Sequence, residues 1–268
     1  MLCQSEIKPV YAMKPLECFL RSVQTAYESA FGQELSCRSA EELTLYSFPS
    51  TLFKPGTISC LAAPPRLMMP LFLKFLLDHA DSNNEAASLL ISKVRPEELV
   101  IRMAAYYSRI GINRLRRGQL GVADWAGLVR SSSRIYESNI FFAHGGEFGI
   151  REMIDNHPER AKPLELVLIN DFFNALGEHS LCTEEMAEKL DELKTVATES
   201  NVAVVVSYSL KGPEKEGVLS TVKNHCDVFM TLHPAGGRYE LLVQNMKHGE
   251  SGNIPLILIP EIGVMEDR

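Results

Sequence analysis

The chain has 268 residues, 46% of them hydrophobic and 23% charged, with a formal net charge of −7 at pH 7. This length and composition are typical of one large domain. The acidic balance argues against nucleic-acid binding driven by overall charge, although an acidic chain can still have one basic face. We expect a cytoplasmic protein, because no apolar run reaches the roughly 18 residues of a membrane span and the N-terminal sequence lacks the hydrophobic core of a signal peptide.

The N-terminal part predicts a helix that stands apart from the main body. Residues 14–31 have Pro15 in the first turn, Gly32 at the end and an apolar face at helical spacing. That face comprises Leu16, Phe19, Leu20, Val23 and Tyr27. A polar stretch follows, so we expect residues 1–40 to form a helical segment with a linker and residues 41–268 to form the main domain.

The main domain alternates predicted strands and helices. Apolar runs at 57–62, 86–91, 164–169 and 202–207 predict four buried strands. Pro96 and Thr183 are each predicted to open a helix, with two glutamates in its first turn. The predicted inward faces are Leu99, Met103, Tyr106 and Ile110 in one helix and Met186, Leu190, Leu193 and Ala197 in the other.

The C-terminal part changes character. The pair Gly236-Gly237 predicts a hairpin, and residues 254–260 predict a last strand. The order of elements therefore predicts an α/β fold with a mostly parallel sheet, helices around it and an antiparallel C-terminal edge.

Residues 57–80 have the strand, loop and helix layout on which nucleotide phosphates usually sit. A loop of the type GxxxxGK[ST] needs glycines, a Lys for phosphate charge and a hydroxyl for Mg²⁺. Met68, Met69 and Pro70 stand where the second glycine, the Lys and the Ser/Thr would be. The turn reads Pro64, Pro65, Arg66, Leu67, Met68, Met69, Pro70. We favour the simpler interpretation, in which Pro70 is the first residue of the helix and both methionines pack inward.

Other clusters are weaker candidates for a site. The six cysteines are scattered, and neither His144-Gly145-Gly146-Glu147 nor His225-Cys226-Asp227 has a partner at metal-ligand spacing, so we expect reduced thiols and no metal. The densest basic patch comprises Arg114, Arg116 and Arg117. It is interpreted either as a phosphate contact or as a solvated or salt-bridged helix end, and the second interpretation is favoured.

The pattern as a whole resembles the motor domain of DnaB-type replicative helicases, which has a RecA-like fold. The resemblance covers roughly residues 43–262. Its most specific part is LRRGQL followed by Asp124-Trp125, which is similar to the family's "LRxGQL…DW" segment. Pro55-Gly56, the strand that leads to Asp171, and the HGESGN turn with its closing strand are further matches.

The resemblance assigns family roles to residues that lack the corresponding chemistry. The phosphate-loop Lys and Ser/Thr correspond to Met69 and Pro70. The glutamate that polarises the attacking water, placed after the second strand, corresponds to Leu90. Asp171 is kept as the possible Mg²⁺-side carboxylate. An aspartate after a strand is also common as a loop residue, and without partners that interpretation is favoured.

Three further family positions are implied near the C-terminus. The sensor glutamine at the end of the fourth predicted strand corresponds to Ser209. The Lys and Arg that reach the next subunit's nucleotide correspond to Asn245 and Lys247, and Lys247 lacks the planar fork of Arg. Residues 211–223 fall at the family's DNA-contacting loop, so a mobile loop is predicted, with Lys211 and Lys223 as candidate contacts.

The resemblance with these replacements implies a pseudo-ATPase that acts as a binding or structural module in DNA replication. It implies no cofactor, and its partner is a second copy or a replication protein such as an active helicase. One alternative is an ATP-dependent helicase that uses ATP and Mg²⁺, but the chain has no GxxxxGK[ST] sequence. The other is an unrelated α/β enzyme for a small metabolite, for which no glycine fingerprint is present.

Overall fold

The computed structural model describes residues 52–83, 85–144, 149–155, 162–172, 183–209, 216–246 and 251–267. The helix predicted over 14–31 and the domain boundary predicted at residue 40 lie outside this part of the chain.

Nine strands form a single sheet in the described residues. They are β1 (Ile58–Ala63), β2 (Ala87–Ser92), β3 (Ile140–His144), β4 (Leu164–Ile169), β5 (Ala203–Ser209), β6 (Val228–Ala235), β7 (Arg238–Asn245), β8 (Ser251–Ile259) and β9 (Val264–Asp267). The strand order is β3-β2-β4-β5-β1-β6-β7-β8-β9. Strands β1 to β6 run parallel to their neighbours among these six, and β7, β8 and β9 continue the sheet in antiparallel pairs.

Seven helices connect or flank the strands in the described residues. They are α1 (Pro65–Ser82), α2 (Pro96–Ser108), α3 (Ile112–Arg116), α4 (Val122–Glu137), α5 (Ile150–Asp155), α6 (Thr183–Glu199) and α7 (Glu216–His225). Helices α1, α2 and α4 contribute to the core on one face of the sheet. Helices α5, α6 and α7 contribute to the core on the other face. The central strands are covered on both sides, which explains their continuous apolar sequences.

Local sequence accounts for the ends of α2 and α4. Helix α2 begins at Pro96 with Glu97 and Glu98 in its first turn, where carboxylates favour the positive end of the helix dipole. Its last residue is Ser108, and Arg109, which follows it, adopts a left-handed conformation with φ 59°. Helix α4 begins after Gly121, whose N–H donates a hydrogen bond of 2.7 Å to the Asp124 carboxylate. These signals fix the start of α2, the first helix after β2, and of α4, the last helix before β3.

Two turns in the antiparallel part require glycine. Gly236 and Gly237 have φ values of 54° and 84° and close the hairpin between β6 and β7. Gly263 has φ 66° in the turn before β9, and a Cβ there would lie 2.7 Å from Cδ1 of Ile112. A side chain at position 263 would therefore require the Ile112 side chain to move, and the positive φ would strain any residue other than glycine.

The predicted fold class is confirmed, but several elements differ from the sequence-based expectation. The hairpin at Gly236-Gly237 and the four parallel strands are present within one or two residues of their predicted bounds. The strands β3 and β9 were not predicted. Within the described residues no helix is long and apolar enough to cross a membrane.

Candidate functional site

The connection between β1 and α1 consists of one residue. Strand β1 ends at Ala63 and helix α1 begins at Pro65, so only Pro64 separates them. A phosphate loop needs several glycine-containing residues at this point, because the backbone must curl around the phosphate oxygens. The strand here passes directly into the helix, and the expected loop is missing rather than altered in sequence.

The start of α1 also lacks most of the amides that a helix terminus offers to an anion. Pro64 and Pro65 have no N–H, and the N–H of Leu67 donates to the Pro64 carbonyl at 2.9 Å. Arg66 therefore supplies the one remaining amide of the four at this terminus. The first turn contains no acidic residue, and Pro65 and Arg66 are exposed. The start of α1 therefore offers few of the backbone amides that bind phosphate in a phosphate loop.

The residues assigned to phosphate and Mg²⁺ chemistry lie inside α1. Met68 and Met69 are 2% and 9% exposed, and both belong to the core cluster with Leu67. Their predicted inward packing is confirmed. The prediction that Pro70 opens the helix is wrong, because α1 begins five residues earlier and Pro70 is buried within it. Pro64 and Pro65 carry the start signal instead, with Pro65 at the first helical position.

Leu90 lies within a strand and not after one. It is the fourth residue of β2, fully buried, and packs in the core on the α1 face. The positional assignment of the water-polarising glutamate to Leu90 is therefore wrong, because that group would have to follow the strand. Lys93, Val94 and Arg95 follow β2, and none of them is a carboxylate.

Asp171 follows β4 and is held by the end of β5. Its backbone has φ 56°, and its N–H donates to Oγ of Ser207. One carboxylate oxygen, Oδ1, accepts a hydrogen bond of 3.3 Å from Oγ of Ser209. Ser209 pairs in register with Ala63 at the end of β1. Two of the predicted site residues, Asp171 and Ser209, are thus brought together beside the β1–α1 connection.

Three further polar residues at this edge were missed by sequence reasoning. They are Ser92, Asn170 and Ser207. The side-chain amide of Asn170 donates to Oγ of Ser92 at 3.3 Å, and the N–H of Val94 donates to the same oxygen at 3.1 Å. Serine or asparagine at the end of an apolar strand run was the available signal. Together with Asp171 and Ser209, these residues join the carboxyl ends of β2, β4 and β5 through protein–protein hydrogen bonds.

Asn245, a further predicted nucleotide residue, is not at this edge. Asn245 pairs in register with Val228, the first residue of β6, and therefore lies at the amino edge of the parallel strands. The family role implied for Asn245 is contact with the nucleotide of a neighbouring subunit, and this placement does not test that role. Lys247 and Lys211 lie outside the described residues.

Ion pairs occupy much of the predicted basic patch. Arg114 pairs with Asp124, and Arg116 pairs with Glu98. Arg117 is exposed and forms no ion pair among the residues that the structure describes. The interpretation as a salt-bridged helix end is thus supported for Arg114 and Arg116, which lie in α3. Their charges are already compensated by carboxylates, which weakens any attraction for phosphates.

Lys223 lies in a helix. The prediction of a mobile loop over residues 211–223 is wrong from Glu216 onward, because α7 spans Glu216–His225. The ammonium group of Lys223 lies 4.9 Å from the ring centroid of Phe229. This cation–π contact holds the side chain against the sheet. Residues 210–215 lie outside the described part.

The sequence cluster His225-Cys226-Asp227 separates into structural contacts. Nδ1 of His225 lies 2.8 Å from the Asp191 carboxylate. Burial raises the pKa of the Cys226 thiol to about 12, and the charge of Asp227 adds to this shift. Asp227 is buried, accepts the N–H of Ile58 at 3.0 Å and lies 3.3 Å from the Lys194 ammonium group. No metal-binding group of three His, Cys, Asp or Glu residues occurs in the described residues.

Comparison with known proteins relates the chain to replicative helicases. The sequence matches the family described as "DnaB-like helicase C terminal domain" over residues 51–215, which is more than half of the chain. No curated protein matches it.

Two solved structures share its fold. One is described as an ATPase domain, with 18% identity, a TM-score of 0.72, and coverage of 94% of this chain and 98% of that one. The other is described as "The Structure Of A DnaB-Like Replicative Helicase And Its Interactions With Primase", with 17% identity, a TM-score of 0.71, and coverage of 92% and 66%. At these identities the likeness establishes the RecA-like fold.

Proposed function

Because the chain belongs to the DnaB-like helicase C-terminal domain family, we propose that it is a RecA-fold protein without nucleotide chemistry. It acts as a binding or structural module in DNA replication. The activity is carried by protein contacts, and the carboxyl edge of its sheet serves to stabilise the fold.

The single observation that carries this proposal is the one-residue connection between β1 and α1. Pro64 leaves no loop to enclose phosphates, and the prolines at positions 64 and 65 remove two amides from the helix start. Met69 and Pro70 lie buried within α1 at the positions implied for the Lys and the hydroxyl. These features act together against phosphate binding, because phosphoryl transfer in this fold depends on positioning and charge neutralisation.

The size of the rate contributions that individual groups make to phosphoryl transfer supports an inactive protein. An arginine finger alone contributes about 10³–10⁵ in rate to phosphoryl transfer. Here the phosphate-binding Lys and Mg²⁺ hydroxyl are replaced by Met69 and Pro70, and no carboxylate directly follows β2. Without a bound and polarised γ-phosphate, the remaining Asp171 has no reaction to promote.

The family and its structural neighbours support partners in replication. The structure of the DnaB-like replicative helicase is described together with its interactions with primase, and that statement concerns that protein. For this chain we propose a second copy or a replication protein such as an active helicase as the partner. DNA contact is a weaker proposal, because Arg114 and Arg116 are already paired with carboxylates.

The proposal is tested by thermal unfolding with and without nucleotide. A ligand that binds only the folded state must raise the melting temperature. When it is present at 100 times its Kd, it adds about 2.7 kcal/mol to the free energy of unfolding. We expect millimolar ATP or ADP with Mg²⁺ to leave the melting temperature at its value in Mg²⁺ alone. A clear upward shift, accompanied by phosphate release in an ATPase assay, would favour the helicase alternative instead.

A further inference from the structure

Positive charge is concentrated in the part of the chain that leads from β2 to the start of α4. Residues 93–124 contain seven Lys or Arg and three Asp or Glu, whereas the whole chain has a net charge of −7. No Asp or Glu occurs from residue 99 to residue 123. The overall acidic charge of the chain conceals this local reversal of sign, which marks a region that attracts anionic groups.

One carboxylate in this region serves two guanidinium groups. Oε1 of Glu98 accepts a hydrogen bond of 2.9 Å from Nε of Arg102 and a second hydrogen bond from Nη2 of Arg116. The three side chains together therefore keep one unit of positive charge. Glu98 lies in the first turn of α2 and Arg116 is the last residue of α3, so the end of α3 is held beside the start of α2.

Two exposed arginines flank the same two helix ends. Arg95 is the residue before α2, and Arg117 is the residue after α3. Both side chains are exposed, and neither forms an ion pair within the part of the chain that the structure describes. Helix stability does not explain Arg95, because a positive charge is unfavourable at the N-terminus of a helix. Both guanidinium groups can therefore pair with carboxylates of another molecule.

The turn between α3 and α4 is held in shape and presents an apolar side chain. Nε of Arg114 donates to the Gln119 carbonyl at 3.3 Å, and the same guanidinium group pairs with Asp124 in the first turn of α4. Val122, the first residue of α4, is 73% exposed. A turn that is already ordered loses little conformational entropy on binding, so it favours contact with a partner.

We infer that an acidic segment of a partner protein binds at this surface. We call it the arginine surface, and it comprises Arg95, Arg102, Arg116, Arg117 and Val122. Carboxylates of the segment pair with Arg95 and Arg117, because the planar guanidinium fork matches two carboxylate oxygens at once. An apolar side chain of the segment covers Val122. The inference rests on the proposed function, which assigns the activity to protein contacts, and it adds the surface and the charge of the partner.

A protein segment suits the arginine surface better than a nucleic acid does. Glu97 and Glu98 lie among the arginines, and their negative charges would repel a continuous phosphate backbone. The exposed apolar side chain here is Val122, which cannot stack on a base as an aromatic ring does. Protein interfaces, by contrast, are enriched in arginine and combine it with apolar contacts.

Fluorescence anisotropy with a labelled peptide tests the inference. The probe is a peptide of Glu, Ser and Leu residues, and its matched control has Gln in place of every Glu. We expect the wild-type chain to bind the acidic peptide, with an affinity that falls as salt is added, and not to bind the Gln peptide. Arg95→Glu combined with Arg117→Glu should weaken binding at least about tenfold, because each change replaces an attraction by a repulsion.

Arg130→Glu is the matched control variant. Arg130 is exposed on α4 and forms no ion pair among the described residues, so we expect this variant to bind the acidic peptide like the wild type. Thermal unfolding checks that each variant is folded. We expect Arg95→Glu to keep the fold, because a negative charge is favourable at the start of α2.

Three results would overturn the inference. The first is a wild-type chain that leaves the anisotropy of the acidic peptide unchanged. The second is a folded double variant that binds the peptide like the wild type. The third is a single-stranded oligonucleotide that binds more tightly than the peptide and is lost in the double variant, which would make nucleic acid the occupant. The peptide titration contains no ATP, so ATP binding in the thermal unfolding test would contradict the proposed function and leave the peptide result unchanged.

Discussion

Ser209 donates a hydrogen bond to the carboxylate of Asp171, with 3.3 Å between Oγ and Oδ1. The bond joins the last residue of β5 to the turn after β4, and the N–H of Asp171 is held by Ser207. The carboxylate to which the family resemblance assigns a magnesium role therefore has a structural partner. Its left-handed backbone conformation is supported from the neighbouring strand.

The first prediction concerns this pair. We expect Ser209→Ala to lower the free energy of unfolding by about 1 kcal/mol, the usual contribution of such a hydrogen bond. We also expect Mg²⁺ to leave the stability of the wild type and of Asp171→Asn equally unchanged. Urea unfolding with and without Mg²⁺ measures both effects. Stabilisation of the wild type by Mg²⁺ that disappears in Asp171→Asn would show that this carboxylate binds the metal.

The second prediction concerns Met69. Met69→Lys places an ammonium group in a position that is 9% exposed and packed in the core. We expect a loss of about 2–4 kcal/mol in stability, because the charge loses its hydration among apolar side chains. Met69→Leu is the matched control, with an expected loss below about 1.5 kcal/mol. Denaturant unfolding compares the two.

The third prediction is that restoration of the motif residues does not restore nucleotide binding. The combined variant Met68→Gly, Met69→Lys and Pro70→Thr places its new residues within α1, downstream of the helix start. We expect no shift of its melting temperature with ATP and Mg²⁺ relative to Mg²⁺ alone. Tight ATP binding by this variant would show that a phosphate site can form around the existing connection.

The fourth prediction concerns pH. Nδ1 of His79 lies 2.8 Å from Oγ of Ser88, and burial lowers the pKa of the imidazole below 6.5 despite the opposing effect of Glu165. The unfolded chain then binds more protons than the folded chain between the two pKa values. Stability from this group is complete above about pH 6.5 and is lost as the pH falls towards the folded pKa.

Unfolding measured over a pH series tests this behaviour. The free energy of unfolding should decrease below about pH 6.5 in the wild type. We expect a smaller decrease over the same interval in His79→Gln, which cannot titrate there. An equal decrease in both proteins would assign the pH dependence to other groups.

The fifth prediction concerns the thiol of Cys226. Because burial raises its pKa to about 12, almost none of it is thiolate at neutral pH. Cys226 and Cys60 are both buried free cysteines. We expect iodoacetamide to label both much more slowly in the folded protein than in denaturant, as measured by peptide mass spectrometry. Rapid labelling of Cys226 in the folded state would show that α7 opens readily from the sheet.

Buried strands were the most predictable part of the fold. The runs at 164–169 and 202–207 are apolar on both faces, because helices cover both sides of the central sheet, and this leaves a continuous signal in the sequence. β3 and β9 were not predicted, because each is a short strand at an edge of the sheet. The sequence Val-Met-Glu-Asp of β9 has neither a long apolar run nor clear alternation.

The site was harder to predict than the fold. Pro70 and Pro65 are both suitable helix openers, and the choice between them depends on how far β1 continues, which is set by its pairing with Ser209. The contacts of Asp171 depend on residues 36 and 38 positions away in the chain. Such contacts follow from the order of the strands, which no local pattern encodes.

The single residue between β1 and α1 also restricts how this protein can change over time. A phosphate loop with altered residues can regain its chemistry by a few point substitutions, each of which leaves the chain length unchanged. A connection that has become only Pro64 can regain a loop only by insertion of several residues or by unwinding the first turns of α1. The unwound turns would expose Leu67 and Met68, which are now buried. Under the proposed function, this connection makes a return to nucleotide binding by point substitution alone difficult.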